Sequence, residues 1–203
     1  MILGTFTPNT PDWHEARRWR VGGSEIGPIC GWSHYGAVTR DSIMADKLSG
    51  ETSEPSRAMR RGNLCEPAVI AHLLDELDTT LDPDLSNATH VGGPDNRRLY
   101  NPDGITTSGL LLEAKTTSDR SEANGWGRAG SDKVPLAYAA QCHWGMGLLG
   151  LTECRLGVLA GAHNGRPNLH FATYRITFNQ RVYDYMARRA DAFLAELDTR
   201  RDQ

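Results

Sequence analysis

Residues 98–116, RLYNPDGITTSGLLLEAKT, contain two predicted strands, formed by the first three residues and by residues 109–116. The Pro-Asp-Gly triplet closes the first strand, and the Thr-Thr-Ser-Gly run before the second is typical of a turn. Side chains alternate faces along a strand, so Glu113 and Lys115 stand side by side on one face. If the two strands pair, Asp103 comes within reach of Glu113.

Two carboxylates and an ammonium would then share one small region of a mostly apolar sheet. Like charges at that distance are costly unless a hard divalent cation bridges them, and Mg²⁺ (with Mn²⁺ as a second possibility) takes carboxylate, carbonyl and phosphate oxygens. Asp103, Glu113 and the backbone carbonyl of Ala114 are therefore predicted metal ligands. Such a metal promotes phosphodiester hydrolysis, in which Lys115 can orient water, take its proton or stabilise charge. The alternative is a simple ion pair between Glu113 and Lys115 at a strand end.

The scarcity of lysine in this chain makes Lys115 a stronger candidate for a catalytic role. Only three of the 22 basic residues are lysines, and arginine could not serve as a base, because its pKa is too high. The net charge of −3 does not by itself predict a nucleic-acid binder, but local basic patches can still follow a phosphate backbone. Arginines cluster at Arg17, Arg18 and Arg20, at Arg57, Arg60 and Arg61, at Arg97 and Arg98, and at Arg188 and Arg189.

The length of 203 residues fits a single domain. The N-terminus lacks the features of a signal peptide and the chain has no long apolar run, so we expect a cytoplasmic protein. The four cysteines are widely spaced without a Cys-x-x-Cys pair. That spacing favours buried reduced thiols over a zinc site or an iron–sulfur cluster.

The apolar periodicity predicts an α/β protein, a sheet flanked by helices around one core. The predicted helices are Asp12–Arg20 with Asp12 as N-cap, a short one from Gly22 to near Gly31, Val38–Leu48, Asn63–Leu77, Pro135–Leu149 and a final helix after Asn179. In Asn63–Leu77 we expect Asn63 and Glu66 to form a capping pair, with Pro67 in the first turn. The remaining predicted strands are Thr89–Gly92, Cys154–Ala160 and Leu169–Ile176.

Four segments together resemble the lambda exonuclease family (YqaJ-like viral recombinases) of the PD-(D/E)XK nuclease superfamily. The segments are Trp13-His14-Glu15-Ala16-Arg17 with Gly22-Gly23-Ser24-Glu25-Ile26, then Gly62-Asn63-Leu64-Cys65-Glu66-Pro67, then Pro102-Asp103-Gly104 with Glu113-Ala114-Lys115, and Tyr138-Ala139-Ala140-Gln141 with Met146. They occur in the family's order from Trp13 to Met146. The resemblance implies one restriction-endonuclease-like nuclease domain over residues 1–203, with a mixed β-sheet flanked by helices.

The resemblance also implies an activity, a phage-type exonuclease that degrades linear double-stranded DNA from 5′ to 3′ for homologous recombination. Asp103 and Glu113 match the metal-binding acids, Glu66 the helical acid that completes the metal site, and Lys115 the catalytic lysine. Gln141 matches a polar helix residue near the scissile phosphate. The implied partners are DNA ends, a single-strand annealing protein and further copies of the chain in a trimeric ring.

The same resemblance matches Arg17 and Ser24 with the residues that hold the terminal 5′-phosphate. An arginine can bind a phosphate through two hydrogen bonds, and a serine that opens a helix offers a hydroxyl and backbone N–H groups. Ser24 could instead be a simple N-cap. Glu25 departs from the family's pattern, because many relatives have aspartate there.

Several alternatives stay open on the sequence. Glu66 could merely complement its helix dipole, and Gln141 could be a surface amide. The whole protein could be another PD-(D/E)XK resection nuclease (Cas4-like or RecB-like) or a catalytically silent protein that binds DNA ends. The loop 117–134, with Trp126 and Arg128, matches nothing in the family and could cover or contact DNA.

Overall fold

The computed structural model describes residues 1–33, 38–51 and 54–202. Its helices are α1 (Pro11–Arg18), α2 (Gly23–Ile29), α3 (Arg40–Ser49), α4 (Arg57–Leu77), α5 (Pro83–Ser86), α6 (Leu136–Leu149) and α7 (Gln180–Arg201). Its strands are β1 (Ile2–Gly4), β2 (Thr89–Gly92), β3 (Arg98–Tyr100), β4 (Gly104–Ile105), β5 (Leu111–Thr117), β6 (Glu153–His163) and β7 (Arg166–Thr177). None of the helices in these ranges is long and apolar enough to cross a membrane.

The strands form two sheets in the described ranges. The smaller sheet has the order β1-β2-β3 and is antiparallel. The larger has the order β4-β5-β6-β7, with β5 and β6 parallel and the other pairs antiparallel. A mixed sheet of this kind, with helices around it, confirms the predicted α/β class.

The central strand β5 is buried on both faces, which places it in the middle of the protein. Leu111 belongs to the main core, together with residues of β6, α2, α6 and α7 such as Trp144 and Phe193. Leu112, on the opposite face, packs with Ile70 and Leu73 of α4. The alternation of faces that the sequence predicted along this strand is therefore confirmed.

Two predicted helix starts are wrong. Helix α1 begins after Thr10, whose hydroxyl accepts the Trp13 N–H, so Asp12 lies inside the first turn and is not the N-cap. Helix α4 begins at Arg57, capped by Ser56, so Asn63 does not cap it with Glu66 and Pro67 lies inside the helix. Residues 57–62 do not share the apolar spacing of the rest of α4, and a basic exposed turn of this kind gives no periodic signal.

The strand that pairs with β5 also differs from the prediction. Its partner is the two-residue strand β4, which follows Asp103, whereas β3 belongs to the smaller sheet. In the final helix, Met186, Phe193 and Leu197 are buried, whereas Tyr185 is 39% exposed and stacks on Trp32.

Candidate active site

Strand β5 brings Glu113 and Lys115 together, with Lys115 close to Tyr138 of α6. Glu113 is fully buried, and its Oε2 accepts a hydrogen bond of 2.6 Å from the hydroxyl of Tyr100. Its Oε1 accepts a hydrogen bond from Lys115 Nζ. The acid is thus inside the protein and not at an exposed strand end, and both of its oxygens have donors.

Asp103 lies beside this pair for a simple reason of register. The antiparallel pairing of β4 with β5 joins Gly104 to Leu112, so the residue before Gly104 lies next to Glu113. There the Asp103 carboxylate accepts a hydrogen bond of 2.7 Å from the Ala114 N–H. The predicted approach of the two acids is present, although β4 and not β3 produces it.

The ammonium of Lys115 bridges two of the predicted ligands. Besides Glu113, it donates to the carbonyl of Ala114 at 3.2 Å, and it lies 5.5 Å from the centre of the Tyr138 ring. Burial disfavours its charge, but Glu113 and Asp103 outweigh burial and raise the pKa of Lys115. Lys115 is therefore a positively charged donor within this cluster.

The acids around Lys115 repel one another. Burial raises the pKa of Asp103 well above its usual range, and the charges of Glu113 and Glu66 raise it further against the opposing effect of Lys115. Burial and the Glu113 charge likewise raise the pKa of Glu66 on α4. Repulsion among these three acids thus outweighs the effect of one ammonium on Asp103 and Glu66, and a divalent cation would relieve it.

The donors present fit a hard cation. Within the described ranges no three His, Cys, Asp or Glu side chains form a ready-made metal cage. The Lys115 ammonium, however, contacts the Glu113 carboxylate and the Ala114 carbonyl together, so these oxygens already hold a positive charge. They are oxygen ligands of the kind that Mg²⁺ prefers.

Gln141 and Gly23 lie on the other side of Tyr100. Gln141 is half-buried on α6, and its Cγ lies 3.4 Å from the point that a Cβ on Gly23 would occupy. The structure therefore brings α6 and the start of α2 together next to the acids.

Arg17 and Ser24, which the resemblance matches with the residues that hold the 5′-phosphate, are in contact. Arg17 Nη2 donates to Ser24 Oγ at 3.3 Å, and the guanidinium lies 4.5 Å from the centre of the Trp13 ring. Ser24 is exposed in the first turn of α2 and does not cap that helix, whose N-cap is Gly22.

Behind Arg17 lies a buried ion pair that the sequence did not predict. Lys47, only 5% exposed, bonds to Glu25 at 2.8 Å and to the carbonyls of Arg17 and Arg20 at 3.1 and 2.7 Å. Glu25 Oε2 also accepts the Gly22 N–H at 2.7 Å. Glu25, which departs from the family's pattern, therefore helps to fix the backbone from Arg17 to Gly22, directly at Gly22 and through Lys47 at Arg17 and Arg20.

The loop 117–134 is packed more firmly than its polar composition suggests. Trp126 is 1% exposed and packs between Tyr138 and Tyr174. Arg120 is buried and donates to the Gly127 carbonyl and the Tyr174 hydroxyl. Arg128 is exposed, and contact between this loop and DNA stays a prediction.

The cysteines mostly lie where the sequence predicted. Cys30, Cys142 and Cys154 are buried free thiols as predicted, whereas Cys65 is half-buried.

Tyr100 was missed as a functional candidate, because the sequence shows it only as the apolar end of a strand. Its signal is faint, a phenol two residues before the Pro-Asp-Gly triplet.

Comparison with known proteins shows which family the chain resembles. The chain matches the family described as the YqaJ-like viral recombinase domain over residues 12–154. No curated protein matches it.

Solved structures with the same fold include an alkaline exonuclease from Laribacter hongkongensis, with a TM-score of 0.71, 20% identity and 95% of each chain covered. Its complex with dAMP gives a TM-score of 0.72 at 19% identity, again with 95% of each chain covered. A phage-related exonuclease from Haemophilus somnus 129PT gives a TM-score of 0.66 at 13% identity, covering 92% of this chain and 97% of the other.

Proposed function

Because the chain belongs to the YqaJ-like viral recombinase family, we propose that it is a phage-type exonuclease that degrades linear double-stranded DNA from 5′ to 3′. The product would be single strands for homologous recombination. We further propose that residues 1–203 act as one nuclease domain and depend on Mg²⁺ or Mn²⁺. The names of the similar structures, all exonucleases, support the reaction class.

One observation carries the chemical part of this proposal. The Lys115 ammonium, whose side chain is 15% exposed, joins the buried Glu113 carboxylate to the Ala114 carbonyl beside a second, half-buried acid, Asp103. A cluster of charges in a mostly apolar sheet costs stability, and such clusters are typical of functional sites.

We assign the cation to Asp103, Glu113 and the Ala114 carbonyl, with Glu66 as the helical acid that completes the site. The metal would neutralise charge on the phosphate and lower the pKa of the attacking water. Lys115 would orient that water and stabilise the developing charge through its ammonium, since Glu113 and Asp103 favour its protonated form. Gln141 would contact the scissile phosphate from α6.

We assign the terminal 5′-phosphate to Arg17 and Ser24. Their mutual hydrogen bond places a guanidinium and a hydroxyl at one exposed point, and a phosphate can accept from both. The Lys47–Glu25 pair would hold Arg17 in place before DNA arrives.

Family membership also supports partners and a location. We propose double-stranded DNA ends as the substrate, a single-strand annealing protein as a partner, and a trimeric ring as the assembly. The site of action would be the cytoplasm of a bacterial host.

The test is digestion of end-labelled linear duplex, with 5′-phosphate or 5′-hydroxyl ends, with and without Mg²⁺. We expect Mg²⁺-dependent release from the 5′ end, faster on phosphorylated ends. Glu113→Gln and Asp103→Asn should abolish cleavage and retain DNA binding, while the exposed control Glu122→Gln should cleave normally. Internal cuts in circular DNA would favour an endonuclease, binding without cleavage would favour an inert end-binding protein, and full activity of either active-site variant would contradict the assignment.

A further inference from the structure

Tyr100 packs closely against two helices and donates one buried hydrogen bond. Its ring lies between two glycines, because a Cβ on Gly23 would come within 2.7 Å of Tyr100 Cδ2 and one on Gly145 within 2.4 Å of Tyr100 Cζ. Both helices that face the ring, α2 and α6, thus lack a side chain at the point of contact. The neighbouring Leu99 is also fixed, since its carbonyl accepts the indole N–H of Trp144 at 3.0 Å.

The Tyr100 hydroxyl donates one hydrogen bond to one oxygen of Glu113. Tyr100 is 1% exposed and Glu113 is fully buried, so water does not compete for their hydrogen bond. Its length of 2.6 Å lies in the range of charge-assisted O–H···O⁻ bonds, about 2.5–2.7 Å. The acceptor is Oε2, whereas Lys115 engages Oε1.

The separate partners of the two Glu113 oxygens matter because a carboxylate group rotates easily about its terminal torsion. The terminal torsion of a glutamate is broad and roughly two-fold, so packing alone does not determine which oxygen faces the cation. Because Tyr100 holds Oε2, Oε1 is the oxygen presented to Lys115.

We propose that Tyr100 is a positioning residue of the nuclease, which orients Glu113 so that Oε1 is the oxygen offered to the divalent cation. The inference rests on the proposed function and adds to it a residue outside the motif of acids and lysine. Tyr100 acts through Glu113 and touches neither substrate nor metal.

The test compares Tyr100→Phe with Tyr174→Phe. Phenylalanine keeps the ring between the glycines and removes only the oxygen. Tyr174 is an equally buried control, whose hydroxyl donates to the Gly127 carbonyl at 3.0 Å. Each variant is measured for Mn²⁺ affinity without DNA by electron paramagnetic resonance, for kcat and KM on duplex ends, and for urea unfolding.

We expect Tyr100→Phe to weaken Mn²⁺ binding and to lower kcat, each by about tenfold to a hundredfold, the loss typical of one hydrogen bond to a charged group. KM for DNA ends should stay within about twofold, since the phosphate pocket is untouched. Tyr174→Phe should leave Mn²⁺ affinity and kcat unchanged.

Other results have separate meanings. A Tyr100→Phe variant that is less stable but binds Mn²⁺ and cleaves DNA as the wild type does would overturn the positioning role and leave the proposed function standing. A wild-type protein that neither binds Mn²⁺ nor cleaves DNA would overturn both. If Tyr100→Phe fails to fold, the added substitution Glu113→Gln should restore folding, because it removes the buried carboxylate charge that has lost its donor. A double variant that still fails to fold would also contradict the proposal.

Discussion

Substitution of Lys47 by methionine tests the ion pair behind Arg17. Methionine keeps an unbranched apolar chain of similar length in a site where the lysine is 5% exposed. It removes the bond to Glu25 and both bonds to the carbonyls of Arg17 and Arg20. Glu25 is then left without its closest countercharge.

The magnitude follows from the burial of the two partners. Breaking a buried ion pair by removing one member costs about 3–5 kcal/mol. The Glu25 side chain is 19% exposed, so water can reach it and the lower end, about 3 kcal/mol, applies. For a domain of this size, about 2–4 °C of Tm is lost per kcal/mol, so we expect a fall of about 6–12 °C.

The pH dependence has a definite sign. Burial alone would raise the pKa of Glu25, but Lys47, Arg17 and the Gly22 N–H outweigh it and hold the pKa below its ordinary value of 4.5. The unfolded chain then binds more protons, so this stabilisation is present above pH 4.5 and is lost as the pH falls through the lowered pKa. The difference between wild type and Lys47→Met should shrink over the same acidic range.

The assay is urea unfolding followed by tryptophan fluorescence in EDTA, at several pH values. The double variant Lys47→Met with Glu25→Gln should regain at least about 1 kcal/mol, because no unpaired charge remains. The exposed control Lys133→Met should match the wild type. A loss below about 1 kcal/mol that does not vary with pH would show that the pair does not stabilise the fold.

Three further outcomes are expected. Lys115→Ala should lower the cleavage rate by at least about a hundredfold in single-turnover digestion, and a wild-type rate would reduce Lys115 to a structural ion pair. Arg17→Ala should erase the preference for 5′-phosphorylated ends, and a preserved preference would place the phosphate elsewhere. Gly145→Ala should lower the free energy of unfolding by about 1–3 kcal/mol in urea experiments, because its Cβ would meet Tyr100 at 2.4 Å. Gly62→Ala should instead raise it by up to about 1 kcal/mol, because the nearest neighbour of its Cβ lies at 4.0 Å. Equal effects of the two glycine variants would contradict the close packing of Tyr100.

The helices and most strands could be predicted because their signals are local. Apolar residues at helical spacing predicted most of α4 and α7, and alternation predicted that Glu113 and Lys115 share a face of β5. The ends were less predictable, since a cap such as Ser56 or Thr10 depends on where the chain turns and not on periodicity.

By itself, therefore, the sequence determined the α/β class and the order of the candidate acids and lysine, because backbone periodicity and short spacings act between near neighbours. Only the tertiary structure decided that Tyr100 holds Glu113, that Lys47 and Glu25 stand behind Arg17, and that Trp126 is core. Each of these contacts joins elements packed from different parts of the chain. Their free energy comes from burial and from the pairing of charges across the packed interior, which no local spacing encodes.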